Sequence, residues 1–243
     1  MPKVPKWMAD AMQSLFSGMY HPVRVTQIED VAVGLRSVRF EGSFANMKKD
    51  FIPGNVIEFR ISDTEFRHYT PSYFSREKGI CEVFFYLHDK GPGSRWVEGL
   101  REGDTLDLLG PGGKIKYDLS CRTHLAFGDE TSLGLLRCIS SEAENRGDRF
   151  VGIAELDDGH AHWPQLLGLK ASSVCLSGGK AGVDAIGKLQ ELLEAGMDSE
   201  RTAVYLTGNA RSILSLRKFL LEHGFSRRQV HTEPYWAEGK PGL

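Results

Sequence analysis

Cysteine is scarce in this chain, and the four present, Cys81, Cys121, Cys138 and Cys175, form no CxxC pair. Zinc sites and iron–sulfur clusters draw thiolates from close-set motifs, so neither is expected. A chain of 243 residues can bury a core without disulfides, and four reduced thiols imply a cytoplasmic setting. No run approaches the ~20 apolar residues of a membrane helix. No apolar stretch follows Lys3 and Lys6, so no secretory signal is expected. An excess of one charge is also missing: a formal net charge of -2 gives no electrostatic case for nucleic acid or an anionic membrane as partner. The eight histidines show no HxxxH or HExxH spacing, and no GxSxG elbow occurs. A bound catalytic metal and an elbow-type serine nucleophile are therefore not expected.

What is present falls into two rhythms. Up to about residue 119, short segments at 23–28, 35–40, 56–61, 66–74, 80–88 and 105–109 alternate apolar and polar residues. Turn-formers such as Pro53-Gly54, Lys78-Gly79 and Glu102-Gly103-Asp104 separate them, which predicts a six-stranded antiparallel barrel. One helix is expected from Pro92-Gly93-Ser94 to Leu100. Another is expected over 7–19, where Trp7, Met8, Met12, Leu15, Phe16 and Met19 form a stripe that packs on the body of the protein or touches a membrane.

From residue 120 onward, apolar strands at 123–128, 150–154, 173–176 and 203–207 alternate with helices at 131–145, 183–195 and 212–223. Strands alternating with helices give a parallel sheet with crossover connections. The expected organisation is therefore a β domain at 1–119 and a Rossmann-like α/β domain at 120–243.

Several motifs could carry chemistry. In Arg67-His68-Tyr69-Thr70-Pro71-Ser72, alternate side chains share a face, so Arg67 and Tyr69 project together beside the Thr70 hydroxyl. A guanidinium can hold a pyrophosphate and a phenol can stack on an isoalloxazine. Taken alone, the segment reads better as an ordinary strand ending in a Pro turn, and the rest of the sequence reverses that. Gly91-Pro92-Gly93-Ser94 opens a helix whose first N–H groups suit a phosphate, and His88 stands just before it.

Gly128-Asp129-Glu130-Thr131 follows the first strand of the α/β half, where nucleotides bind at a parallel sheet's edge. It is not a GxGxxG fingerprint, and its two acids suit ribose hydroxyls or a helix N-terminus better than a phosphate. Lys180, after Gly178-Gly179, and Arg211, after Gly208-Asn209-Ala210, could meet the 2′-phosphate of NADPH or stand as solvated charges. His160-Ala161-His162 reads as a loop.

The order Arg-x-Tyr-Thr, Gly-Pro-x-Ser-x-Trp, Gly-Asp-Glu-Thr and a terminal Tyr-Trp resembles the siderophore-interacting protein family, a branch of the ferredoxin–NADP reductase superfamily. The matching pieces run from Arg67 to Tyr235-Trp236 and include Gly103-Asp104 to Gly110-Pro111. The resemblance implies an FAD-binding barrel followed by an NAD(P)H-binding domain, in a protein that reduces ferric siderophores and releases Fe(II); a monomer is the default oligomeric state. It places FAD against Arg67, Tyr69, Thr70, Gly91, Gly93 and Ser94, with Asp129 and Thr131 facing the flavin or the nicotinamide and Tyr235 and Trp236 near the flavin or its adenine; His88, from its place before the turn, could touch the flavin or be a polar strand-end residue. It places NADPH or NADH near Glu130, with Lys180 and Arg211 as further candidates, and leaves ferredoxin as another electron donor. Lys48, Arg137 and Lys240 are the candidates for attracting an anionic ferric siderophore.

Three positions depart from the family pattern. Pro71-Ser72 follows Thr70 where a hydrophobic residue and Arg are usual, Leu133-Gly134 stands where a Pro is common, and Ala237-Glu238 replaces basic residues after Trp236. A general flavin or quinone reductase and a non-catalytic binding module are the alternative readings.

Overall fold

The computed structural model describes residues 5–15, 19–88, 91–176 and 181–239. The chain divides into two compact units, Met1–Gly113 and Lys114–Leu243.

The first unit begins with α1 (Lys6–Leu15). It is held by ion pairs from Lys6 to Asp63 and from Asp10 to Arg60, each 2.8 Å. Of the expected apolar stripe, Trp7 and Met8 stand exposed rather than packed, and Phe16 lies outside the described residues.

Seven strands follow: β1 (Tyr20–Ala32), β2 (Leu35–Gly42), β3 (Val56–Ser62), β4 (Glu65–Tyr69), β5 (Tyr73–Ser75), β6 (Ile80–Tyr86) and β7 (Thr105–Gly112), with α2 (Pro92–Gly99) between the last two. They form one antiparallel sheet in the order β4-β3-β7-β1-β2-β6-β5. The seventh strand arises because Pro71, lacking an N–H and restricting Thr70 before it, breaks the single expected strand at 66–74. Beyond the break, Tyr73 pairs with Glu82 of β6, whose carbonyl also accepts from the backbone N–H of Ser72 at 2.8 Å.

The strands at the two ends of this sheet, β4 and β5, are joined by Thr70-Pro71-Ser72 alone. Such a link spans at most ~14 Å, so the sheet curls until its edges approach. Alternating inward residues, among them Val38, Phe40, Phe59, Val83, Phe85 and Leu108, fill the interior.

The second unit is a five-stranded parallel sheet of β8 (Thr123–Gly128), β9 (Arg149–Leu156), β10 (Ala171–Cys175), β11 (Thr202–Asn209) and β12 (Val230–Trp236), in the order β10-β9-β8-β11-β12. Its helices are α3 (Leu133–Arg146), α4 (Trp163–Leu166), α5 (Val183–Glu194) and α6 (Ala210–Glu222). The central β11 is buried along its whole length, as a strand covered on both faces must be. Strand β12 has no counterpart among the expected elements. Pro234 is tolerated because β12 is an edge strand that pairs only with β11. The chain moves outward from β8 through β9 to β10, then returns to β11 on the other side. The carboxyl ends of β8 and β11 are thus the switch point where ligands bind in such sheets. Among the described residues, no helix is long and apolar enough to cross a membrane.

Candidate functional site

In the first unit, β4 presents Arg67 and Tyr69 half-buried on one face, while His68 points away to Glu58 at 2.6 Å. The Tyr69 ring meets Phe85 edge-on at 4.7 Å and lies nearly parallel to Trp96 of α2 at 6.3 Å. Burial raises the Tyr69 hydroxyl pKa, so it stays a neutral donor. The Arg67 guanidinium is steadied by the Phe66 carbonyl at 2.8 Å and by Glu65 at 3.3 Å.

The first turn of α2 lies directly against this pair. A Cβ on Gly93 would stand 2.9 Å from the Tyr69 hydroxyl and 3.7 Å from the Arg67 side chain. At Gly91, a Cβ would come within 3.1 Å of the His88 ring. Helix α2 starts with Pro92, receives no side-chain cap from Gly91, and buries the Ser94 hydroxyl without a hydrogen-bond partner. A buried hydroxyl lacking a partner is costly, and a phosphate oxygen at the uncapped helix start would satisfy it. The residues present therefore fit a phosphate-bearing, stacked-ring cofactor. Thr70 is buried at the end of the same strand.

In the second unit, Asp129 follows β8 and caps a single 3-10 turn, Glu130–Ser132. Its Oδ1 accepts from the Thr131 backbone N–H at 2.9 Å and from the Thr131 hydroxyl at 2.5 Å. Its Oδ2 accepts from the Trp236 indole N–H at 2.7 Å. The helix-start role expected of an acid here is the one Asp129 takes. Burial nevertheless pushes its pKa up to about 6, because no cation accompanies the carboxylate. Gly208 (φ 91°) leaves room for it, since any Cβ there would run into the Asp129 carboxylate.

Glu130 turns elsewhere: its Oε1 accepts from the Asp157 backbone N–H at 2.8 Å and sits 2.9 Å from His160 Nδ1. The His160 ring stacks on Trp163 at 3.9 Å. Glu155, buried at the end of β9, accepts from the Gly182 N–H at 2.7 Å and the Ser212 hydroxyl at 2.5 Å, and burial raises its pKa too. A small pocket at this sheet edge is lined by Asp129, Glu130, Glu155, Asp157, Leu176, Asn209 and Trp236.

Arg67, Tyr69 and Gly93 thus converge in one unit, and Asp129, Thr131 and Trp236 in the other. Tyr235 precedes Trp236 in β12, where the pairing with β11 shifts register between Pro234 and Trp236. Arg211 stands exposed on α6 in an ion pair with Glu238 at 2.6 Å. Arg137 of α3 reaches the Gly168 carbonyl at 3.4 Å, and Lys48 is exposed between β2 and β3. Lys180, with Gly178 and Gly179, and Lys240 lie outside the described residues. Asp157, Glu155 and His160 joined the pocket or its rim without being expected there. The only sequence signal was the acidic Glu155-Leu156-Asp157-Asp158 run at a strand end.

Comparison with known proteins bears on the family and the fold. Residues 55–115 match a family model described as a siderophore-interacting FAD-binding domain, and residues 121–239 match one described as siderophore-interacting protein. The solved siderophore-interacting protein from Acinetobacter baumannii superposes with a TM-score of 0.71 at 19% identity, covering 90% of this chain and 91% of that one. A siderophore utilization protein from T. fusca gives 0.70 at 21%, covering 92% and 95%. The ferredoxin reductase of carbazole 1,9a-dioxygenase gives 0.71 at 17%, covering 89% and 69%. By sequence, NADH-cytochrome b5 reductase 1 of Dictyostelium discoideum is 24% identical over 69% of this chain, which spans 64% of that protein's length. With both units matched by models of one family, and the ferredoxin-reductase fold shared by the solved neighbours, this chain belongs to the siderophore-interacting protein family and its first unit carries that family's FAD-binding domain.

Proposed function

We propose that this protein is an FAD-dependent ferric-siderophore reductase that draws electrons from NADH or NADPH and releases Fe(II) in the cytoplasm. Membership of both units in the siderophore-interacting family carries this reading. The unpartnered Ser94 hydroxyl beside Gly93, Arg67 and Tyr69 supports FAD in the first unit. In this assignment Arg67, Ser94 and the first N–H groups of α2 hold the phosphates, and Tyr69 with Thr70 orients the ring system. Bound FAD supplies the conversion of a two-electron donor into single electrons, which no side chain here performs.

The second unit takes the dinucleotide at the β8/β11 switch point, with Asp129 fixing Trp236 beside it. Fe(III) prefers the hard oxygen ligands of a siderophore more strongly than Fe(II) does, so reduction loosens the metal. The iron is cargo, and the protein need not ligate it. Lys48, Arg137 and Lys240 remain the proposed attractors of the anionic chelate, and a monomer is the proposed state.

The test is anaerobic. FAD-loaded protein is reduced with NADH, NADPH or reduced ferredoxin and then mixed with ferric hydroxamate and catecholate chelates, with Fe(II) trapped by a coloured ligand. Flavin reoxidation with stoichiometric Fe(II) supports the reading. Reoxidation by quinones or a haem protein but by no ferric chelate would replace it with a general reductase, the alternative that the cytochrome b5 reductase relative favours. A purified protein that takes up no FAD would instead mark a binding module.

A further inference from the structure

Strand β4 places a second ionisable side chain on the face that carries Arg67 and Tyr69. Alternate residues of a strand project together, so Glu65, Arg67 and Tyr69 stand in one row. Glu65 is only 9% exposed, a burial that carboxylates tolerate when they are paired. Its Oε1 accepts from Nη2 of Arg67 at 3.3 Å, and its Oε2 accepts from the Ser62 hydroxyl at 3.4 Å. Each carboxylate oxygen is thus engaged, which fixes the acid itself.

Three contacts in turn fix the Arg67 side chain. Nη1 donates to the Phe66 carbonyl at 2.8 Å, and Nη2 donates to Glu65. The stem lies against the first turn of α2, where a Cβ on Gly93 would stand 3.7 Å from Arg67 Cγ. The carbonyl alone would let the guanidinium swing about one hydrogen bond; Glu65 supplies the second point. A guanidinium carries five N–H donors, so two such bonds orient it without exhausting it. Arginine has much rotamer freedom to lose on meeting an anion, and a fork held beforehand loses less.

We propose that Glu65 is a positioning residue for FAD, holding the Arg67 fork in the orientation that meets the cofactor's phosphates beside the uncapped start of α2. This role rests on the assignment of Arg67 to those phosphates and adds a residue that acts only through it. A carboxylate here also offsets part of the Arg67 charge, and geometry and charge have opposite consequences for FAD. At 3.3 Å the contact is longer than the 2.7–2.9 Å of a full charge-assisted bond. Glu65 therefore guides the fork more than it neutralises it.

Dissociation constants for FAD, from serial dilution of the FAD-loaded protein followed by flavin fluorescence, test this. Glu65→Met keeps the volume but removes the acceptor, and should weaken FAD about tenfold. Glu65→Gln keeps an acceptor oxygen for Arg67 and should stay within about threefold of the parent. In an Arg67→Met background, Glu65→Met should have no further effect. Tighter FAD binding in Glu65→Met or Glu65→Gln would show competition for the guanidinium and overturn the proposal. A loss in Glu65→Met that persists in the Arg67→Met background would overturn it too. If Arg67→Met weakens FAD and Glu65→Met does not, the role of Glu65 falls alone. If Arg67→Met leaves FAD affinity unchanged, the phosphate assignment of Arg67 falls and takes Glu65 with it.

Discussion

The indole N–H of Trp236, in the edge strand β12, donates to Oδ2 of Asp129 at 2.7 Å, while Oδ1 of the same carboxylate caps the turn that leads into α3. One buried acid therefore joins the first and last strands of the second unit at their carboxyl ends. Its burial without a cation has a measurable consequence.

Asp129 has its pKa pushed up to about 6, against about 4 for an unperturbed aspartate. The folded state thus holds this proton more tightly than the unfolded state does. By linkage, stability from this group is greatest below about pH 4 and is lost as pH rises through about 6, by about 2–3 kcal/mol. Urea unfolding of the parent and of Asp129→Asn at pH 4.5 and pH 7 checks the sign. The variant should lack this downward component, and identical pH dependences in the two proteins would refute it.

Ser94→Ala separates stability from binding. Removing a buried hydroxyl with no partner should leave the free protein as stable as before, or up to about 1 kcal/mol more so. FAD affinity should nevertheless fall by about tenfold if that hydroxyl meets a phosphate. Thermal denaturation with and without FAD, combined with a fluorescence titration, reads both. A variant with unchanged FAD affinity would remove Ser94 from the cofactor site.

For Tyr69, two substitutions distinguish packing from chemistry. Tyr69→Phe keeps the ring among Phe59, Phe85 and Trp96, so it should fold normally and change the flavin's absorption or potential. Tyr69→Ala empties that space, with an expected cost of about 2–4 kcal/mol and at least tenfold weaker FAD binding. Spectra and affinity in Tyr69→Phe identical to the parent would deny the hydroxyl any contact with the cofactor.

Gly208→Ala should be among the most damaging single changes in the second unit. It forces a non-glycine residue to φ 91° and drives its Cβ into the Asp129 carboxylate. The expected loss is about 2–4 kcal/mol, with Trp236 fluorescence shifted as its hydrogen bond is disturbed. Near-parental stability would show that the loop yields more easily than its geometry implies.

Much of this molecule was legible in its residues. The apolar run at 123–128 became β8 with the same limits, and Gly147, at φ 70°, ends α3 where a helix stop belongs. Asp129 as a helix-start acid could be read from its place before Thr131-Ser132. Other features needed the fold. Strand β12 escaped because Glu233-Pro234 looks like a loop, and only its edge position makes a proline acceptable there. The break between β4 and β5 was written in Pro71, but alternation on both sides of it masked the signal. The grouping of Glu130 with Asp157 and His160 depends on partners 27 and 30 residues away, which no local pattern reports.

The bond between Asp129 and Trp236 spans 107 residues. During translation the loop after β8 emerges with its carboxylate lacking that indole donor, and it waits for roughly a hundred further amino acids to be added. The carboxyl end of the second unit's sheet can therefore be completed only after nearly all of that unit has been made, whereas Tyr69, Gly93 and Ser94 of the first unit are made long before. This contact therefore closes only once β12 has been added to the edge of the sheet.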